Sequence, residues 1–115
     1  TGTLGLAAAG LHAQEHDAAA EELVAAHYKP TPRIAEGQWL SANEAVHAGI
    51  DVSDGLIQDA GHLAAAAGLA LDIHTNRLVV DAQIEEYCAR HGLSPLDFLL
   101  RGGEDYELAL AIDQK

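Results

Sequence analysis

Apolar and polar positions divide this chain into stretches of helical period and stretches of strict alternation. Residues 4–28 read as helical: Leu4, Leu6 and Leu11 lie among small residues, and Leu23 and Val24 mark the apolar side of the otherwise polar 18–27. The reading stops at Lys29-Pro30-Thr31-Pro32, where each proline pushes its predecessor toward extended backbone. Residues 30–40 are therefore expected to be a linker, with a domain boundary there. Ser41 with Glu44 three residues on has the form of a capping box, and Gly49 supplies a left-handed terminator, which predicts a short helix over 41–48. A brief extended segment over 50–52 follows. Leu56, Ile57, Ala60, Leu63, Ala64 and Ala67 keep helical spacing up to Gly68, with the apolar stripe facing inward.

Leu69, Leu71 and Ile73 then alternate with Ala70, Asp72 and His74, as a half-buried strand does. Asp81 is placed to cap a helix whose inner face is Ile84, Tyr87 and Cys88 and which stops at Gly92. Ser94 and Pro95 suit the cap and first turn of another short helix running through Leu100. Tyr106, Leu108, Leu110 and Ile112 alternate with Glu107, Ala109 and Ala111, giving a strand that leaves the Gly102-Gly103 turn. Helices alternating with strands beyond the linker predict an α/β (α+β) fold without internal repeats.

Composition tempers this picture. At 115 residues the chain suffices for one small domain, or for the end of one joined to the start of another. It has no methionine and stops just after an apolar run, which predicts that both ends lie inside a longer chain. Hydrophobic residues make up 49%, yet many are alanine and only 4% of the chain is aromatic, so the core is expected to be thin. Burial yields roughly 25 cal/mol per Å², and alanine has little area to bury. Dimerisation, or support from further sequence, is expected to make up the difference. A formal charge of −12 with only six Lys and Arg argues against nucleic-acid and anionic-membrane partners, since both need a basic patch. It still allows a nucleotide when a divalent metal stands between carboxylate and phosphate. One cysteine, no signal segment and no apolar run near the roughly 20 residues of a membrane span suit a cytoplasmic protein.

Candidate chemistry concentrates in two places. Asp51-Val52-Ser53-Asp54-Gly55-Leu56 sets two carboxylates around a hydroxyl where a short strand gives way to a helix. Magnesium takes oxygen ligands and is held by one or two carboxylates plus substrate phosphate. A strand-to-helix turn also offers free amides to phosphate oxygens. The plainer and commoner reading is that Ser53 or Asp54 simply caps the helix. Gly102-Gly103-Glu104-Asp105-Tyr106-Glu107-Leu108 is, in the same way, either a tight turn or a carboxylate presented at the mouth of a strand.

Taken together the two runs, with Gln58-Asp59-Ala60-Gly61-His62-Leu63 behind the first, resemble the thiamine-monophosphate kinase family. That family belongs to the superfamily of aminoimidazole ribonucleotide synthetase, selenophosphate synthetase and the hydrogenase-maturation dehydratase. Thr1-Gly2-Thr3-Leu4-Gly5, Ala8-Ala9-Gly10-Leu11 and residues 28–33 are similar to the family's interdomain region, so the resemblance covers nearly the whole chain. It implies ATP-dependent, Mg²⁺-dependent phosphorylation of thiamine monophosphate to thiamine diphosphate by a homodimer. It also implies a division into the helical end of an N-terminal ATP- and metal-binding domain (1–29), a linker (30–40) and the first half of a C-terminal domain (41–115).

By the same resemblance Asp51 and Asp54 match magnesium ligands, Ser53 a position touching ATP, and Glu104 a contact to the thiamine phosphate. No catalytic acid or base is implied, because phosphoryl transfer rests on positioning and charge screening. The chain departs from the family at Leu6-Ala7, where Asp-Ser is usual, and at Arg101, where a small residue is common. The family's N-terminal acidic cluster, its nucleotide-positioning arginine and its late aromatic substrate contact fall outside the chain, which is expected to be inactive alone. Two other readings remain: a relative using ATP on a different small substrate, and a non-enzymatic acidic oligomerisation domain.

The remaining conspicuous residues carry no expected chemistry. His12, His16, His27, His47, His62, His74 and His91 are scattered, and the four-residue spacing of His12 and His16 lacks further zinc ligands. Trp39 and Tyr87 are expected to anchor packing, and Cys88 to lie in the core.

Overall fold

Two strands far apart in sequence pair antiparallel: β1 (Val46–Val52) and β2 (Glu107–Ile112). The computed structural model describes residues 1–17 and 19–113. Val52 lies opposite Glu107 and Ala48 opposite Ala111, with an irregularity between Val46 and Ala48. Antiparallel pairing puts the end of β1 beside the start of β2. The loop leaving one strand therefore adjoins the loop entering the other.

Among the described residues six α-helices accompany this pair: α1 (Leu6–His16), α2 (Glu21–Tyr28), α3 (Ile34–Ser41), α4 (Leu56–Ala66), α5 (Ala82–His91) and α6 (Pro95–Arg101). The expected caps of α5 are in place. Asp81 Oδ1 accepts the Gln83 amide at 2.8 Å, and Gly92 ends the helix in the left-handed region at φ 65°. Ile84, Tyr87 and Cys88 are all buried, as their spacing predicts. Pro95 opens α6 after Ser94, though the Ser94 side chain makes no cap bond. The buried cluster joins Ala9, Ala13 and Leu23 to Ile84, Tyr87, Cys88 and Leu99. Residues on both sides of the segment 30–40 thus share one core, and that segment contains α3 rather than only extended chain.

Several local expectations give way. Residues 41–48 are not a helix: Ser41 is the last residue of α3, its Oγ donating to Gln38 O at 2.8 Å, and Val46 already belongs to β1. Asn43 Oδ1 accepts the Ala45 amide at 3.0 Å and turns the chain into the strand. Cross-strand pairing outweighed the capping-box pattern. Residues 69–73 form no strand and lead to a single 3₁₀ turn at Thr75–Arg77; no other strand pairs with them among the described residues. The helical reading of 4–28 resolves into two helices, with Ala18 outside the described residues. The stripe of α4 is only half-buried, with Ile57 exposed. Trp39 anchors nothing: it is 68% exposed. Among the described residues no helix is long and apolar enough to cross a membrane.

Candidate active site

The two acidic runs meet because their strands pair. Glu104 N donates to Ser53 O at 2.8 Å and Tyr106 N to Val52 O at 2.9 Å, extending the β1–β2 contact one step into the loops. Gly103 permits the approach, since a Cβ there would stand 2.4 Å from Ser53 O. Gly55, at φ 115°, occupies backbone that side chains disfavour, and its missing Cβ leaves room for the Arg101 carbonyl.

Neither Ser53 nor Asp54 caps α4, so the plainer reading of that turn is set aside. Gly55 is the cap residue and no side chain caps it from the N-terminal side. The work falls instead to Asp59, the fourth helical residue. Its Oδ2 accepts both the Asp54 amide at 2.9 Å and the Gly55 amide at 3.1 Å, and the residue is 3% exposed. A carboxylate folded back onto the first-turn amides satisfies donors that a helix start otherwise leaves open. Relieved of that role, Asp54 is exposed and, among the described residues, accepts only Gln58 Nε2, at 3.0 Å. Asp51 is exposed near the end of β1, and Ser53 is half-buried.

Across the junction Glu104 and Tyr106 both adopt left-handed backbone, at φ 68° and 54°. Such conformations cost of order 1–3 kcal/mol each in non-glycine residues and persist where the surroundings dictate them. The Tyr106 hydroxyl donates to Glu104 Oε2 at 2.9 Å. That bond, the Glu104 charge, burial, and then the charges of Asp51 and Asp54 all raise the phenol above the ordinary tyrosine range. Asp51, Asp54 and Glu104 are thus within electrostatic reach of one phenol. Tyr106 belongs to this corner although its alternation predicts an ordinary strand residue; β2 begins only at Glu107.

The intervening acids point the other way. Asp105, 7% exposed, accepts the Gly5 amide at 2.6 Å on one oxygen and the Ala7 amide at 3.0 Å on the other. Burial raises its carboxyl despite these two bonds. Glu107, 5% exposed, takes Arg33 in a two-pronged pair at 2.8 and 2.9 Å and the Thr1 hydroxyl at 2.7 Å. Burial alone would raise Glu107, but Arg33 and Thr1 outweigh it and hold the carboxyl below the usual range. No spacing rule marks Asp105 or Glu107. Asp59 did carry a signal, an acid in the first turn of the predicted helix.

The donors fit a hard cation bridged to phosphate better than a protein-only cage. Asp51 and Asp54 present exposed carboxylates, yet among the described residues no group of three or more His, Cys, Asp and Glu could hold a metal ion. Magnesium is commonly held by one or two carboxylates with waters and substrate phosphate completing the shell. Beside Asp54 lies an open hollow of about 320 Å³, lined also by Ile57, Gln58, Leu100 and Arg101. The histidines sort differently from their sequence pattern. His12 and His16 stack at 4.1 Å between centroids, His12 Nδ1 is 2.7 Å from the Tyr87 hydroxyl, and His91 pairs with Asp17.

The fold has counterparts among known proteins. The chain is 34% identical over 113 residues to a thiamine-monophosphate kinase of Aquifex aeolicus, covering 94% of this chain and 36% of that protein. A solved structure described as AaThiL complexed with AMPPCP and TMP superposes with a TM-score of 0.85 at 33% identity, over 96% of this chain and 37% of that one. The thiamine-monophosphate kinase of Stenotrophomonas maltophilia K279a gives 0.83 at 36% identity, over 96% and 37%. The chain thus spans about a third of the length of the curated relatives it matches. Residues 1–113 match the family described as AIR synthase related protein, C-terminal domain, and with the mixed α/β fold shared by these kinases the chain belongs to that family.

Proposed function

We propose that the full-length protein carrying this chain is a thiamine-monophosphate kinase, transferring the terminal phosphoryl group of ATP to thiamine monophosphate to give thiamine diphosphate. The observation that carries this reading is the junction of the two acidic runs through the Glu104–Ser53 and Tyr106–Val52 main-chain bonds. It sets a strand-to-helix turn with two exposed carboxylates against a loop presenting a third. The similar structure named with AMPPCP and TMP supports a nucleotide and a phosphorylated acceptor as the two ligands.

In this reading Asp51 and Asp54 hold Mg²⁺, Ser53 touches ATP and Glu104 contacts the thiamine phosphate. Magnesium, when bound, supplies charge screening and alignment of the phosphates. The chain's own residues do the holding. Asp59 occupies the first amides of α4 and leaves the Asp54 carboxylate outward. Tyr106 fixes one Glu104 oxygen and leaves the other for a ligand. No side chain here is assigned as nucleophile or general base. The shared core of Ala9, Ala13 and Leu23 with Ile84 to Leu99 supports assigning residues 1–113 to one unit rather than dividing them at 30–40. The complete enzyme is proposed to act as a cytoplasmic homodimer, with this chain alone inactive.

The test is turnover of thiamine monophosphate with Mg-ATP by the full-length protein, read as thiamine diphosphate formed. Asp54→Asn is expected to lower kcat/KM by at least the about 10- to 100-fold typical of disturbed metal sites. More magnesium should partly restore it. A wild-type protein that forms no thiamine diphosphate, or an Asp54→Asn variant with unchanged turnover across magnesium concentrations, would refute the reading.

A further inference from the structure

We propose that Asp105 is a positioning residue, whose buried carboxylate ties the loop presenting Glu104 and Tyr106 to the start of α1. Its enzymatic consequence rests on the kinase reading above, while its structural consequence stands on geometry alone. Along the run from Gly103 to Leu108 the residues alternate in task. Glu104 and Tyr106 face the carboxylate corner in left-handed backbone, whereas Asp105 and Glu107 turn inward and are buried. Two left-handed non-glycine residues separated by one position need tethers on both sides of the loop.

One side is visible in the main chain, where Ser53 O and Val52 O take the Glu104 and Tyr106 amides. The other side is Asp105. Its two oxygens accept the Gly5 and Ala7 amides, the open donors at the start of α1. That helix has no side-chain cap of its own, its cap residue being Gly5 in the left-handed region at φ 88°. Asp105 therefore does for α1, from a hundred residues away, what a neighbouring Asp or Ser commonly does. The helix start and the loop depend on each other. With each oxygen already engaged by a buried amide, Asp105 is assigned a role through Glu104 and Tyr106. The Arg33–Glu107 pair fastens the next residue inward and leaves Asp105 the anchor nearest Glu104.

Asp105→Asn keeps one acceptor oxygen and sets its carboxamide NH2, a donor, against the other backbone N–H; Asp105→Ala removes both acceptors. In the full-length protein, Asp105→Asn is expected to raise KM for thiamine monophosphate about tenfold or more, because displacement of a positioning group by an ångström is felt on that scale. KM for ATP should change far less. In parallel, NMR titration of labelled tyrosines should show the Tyr106 phenol falling back toward the ordinary range as its bond to Glu104 loosens. A lower melting temperature with both KM values and the Tyr106 titration unchanged would overturn the proposal and leave Asp105 a stabilising residue only. If the wild-type protein forms no thiamine diphosphate, the kinase reading fails and the Tyr106 titration alone decides. Should neither variant fold, hydrogen exchange in the unsubstituted protein decides. Strong protection of the Gly5 and Ala7 amides is expected, and rapid exchange at both would overturn the tether.

Discussion

Gly103→Ala is expected to force the two acidic runs apart. A Cβ at position 103 would lie 2.4 Å from Ser53 O, 3.2 Å from Ser53 C and 3.3 Å from Asp54 C, all main-chain atoms with no flexible end to yield. Since such contacts do not fall below 3.0 Å, the loops must part by about 0.6 Å or more. Gly103 is not among the left-handed glycines, so the expected effect comes from the close contacts of the added Cβ. Parting the loops weakens the 2.8 Å bond from Glu104 N to Ser53 O, which carries about 0.5–1.5 kcal/mol. Overpacking adds about 1–3 kcal/mol, so the variant should lose about 2–4 kcal/mol of local stability.

The control is Gly61→Ala. Gly61 lies within α4 with nothing within 4 Å of an added Cβ, and the change should stabilise by about 0.5–1 kcal/mol. Thermal unfolding of full-length variants, alongside turnover of thiamine monophosphate, gives the comparison. Gly103→Ala should melt several degrees lower and lose activity, while Gly61→Ala should melt higher with activity intact. Equal melting of the two variants, or full activity in the Gly103→Ala protein, would refute the claim that contact between the runs assembles the corner.

Two further outcomes follow from the inward-facing acids. Asp59→Ala leaves the Asp54 and Gly55 amides without their acceptor, one of them buried, and should cost about 1–3 kcal/mol by thermal or urea unfolding, whereas Gln58→Ala should cost little. Glu107 has its carboxyl held below the ordinary range, so its contribution to stability is present above the unfolded-state value and is lost as pH falls through the folded-state value. Arg33→Met should flatten the acid limb of a melting-temperature profile below about pH 4.5, the ordinary glutamate range. An identical acid limb in the two proteins would contradict that pair.

What was legible in the sequence was what local rules govern. The caps and inner face of α5 follow from Asp81, Gly92 and a three-to-four-residue spacing, all within ten or so residues of one another. Strand pairing is different in kind. Ser41 and Glu44 obey a helix-start rule, yet Val46 to Val52 finds its partner some sixty residues on, and nothing local announces that. For the same reason the alternation at 69–73 predicts a strand that has no partner among the described residues. That the two motifs belong together was suggested by their resemblance to a family; that they adjoin in space follows from the β1–β2 pairing, which no local rule announces. Asp105 capping α1 from across the chain left no trace in spacing, and the union of His12 and His16 with Tyr87 required α5 to dock against α1.

The acids of this chain, at a formal charge of −12, fall into two sets that explain each other. Asp59, Asp105 and Glu107 are buried and their oxygens are taken by amides, Arg33 or Thr1. Asp51, Asp54 and Glu104 are exposed, and their described partners are only Gln58 and Tyr106. Two of the outer acids sit beside an inner one: Asp59 accepts the Asp54 amide, and Asp105, next to Glu104, is fixed to the start of α1. That arrangement also explains why the run alternates Glu104, Asp105, Tyr106, Glu107 rather than placing its acids on one face: anchoring and presentation need opposite sides of the same short stretch.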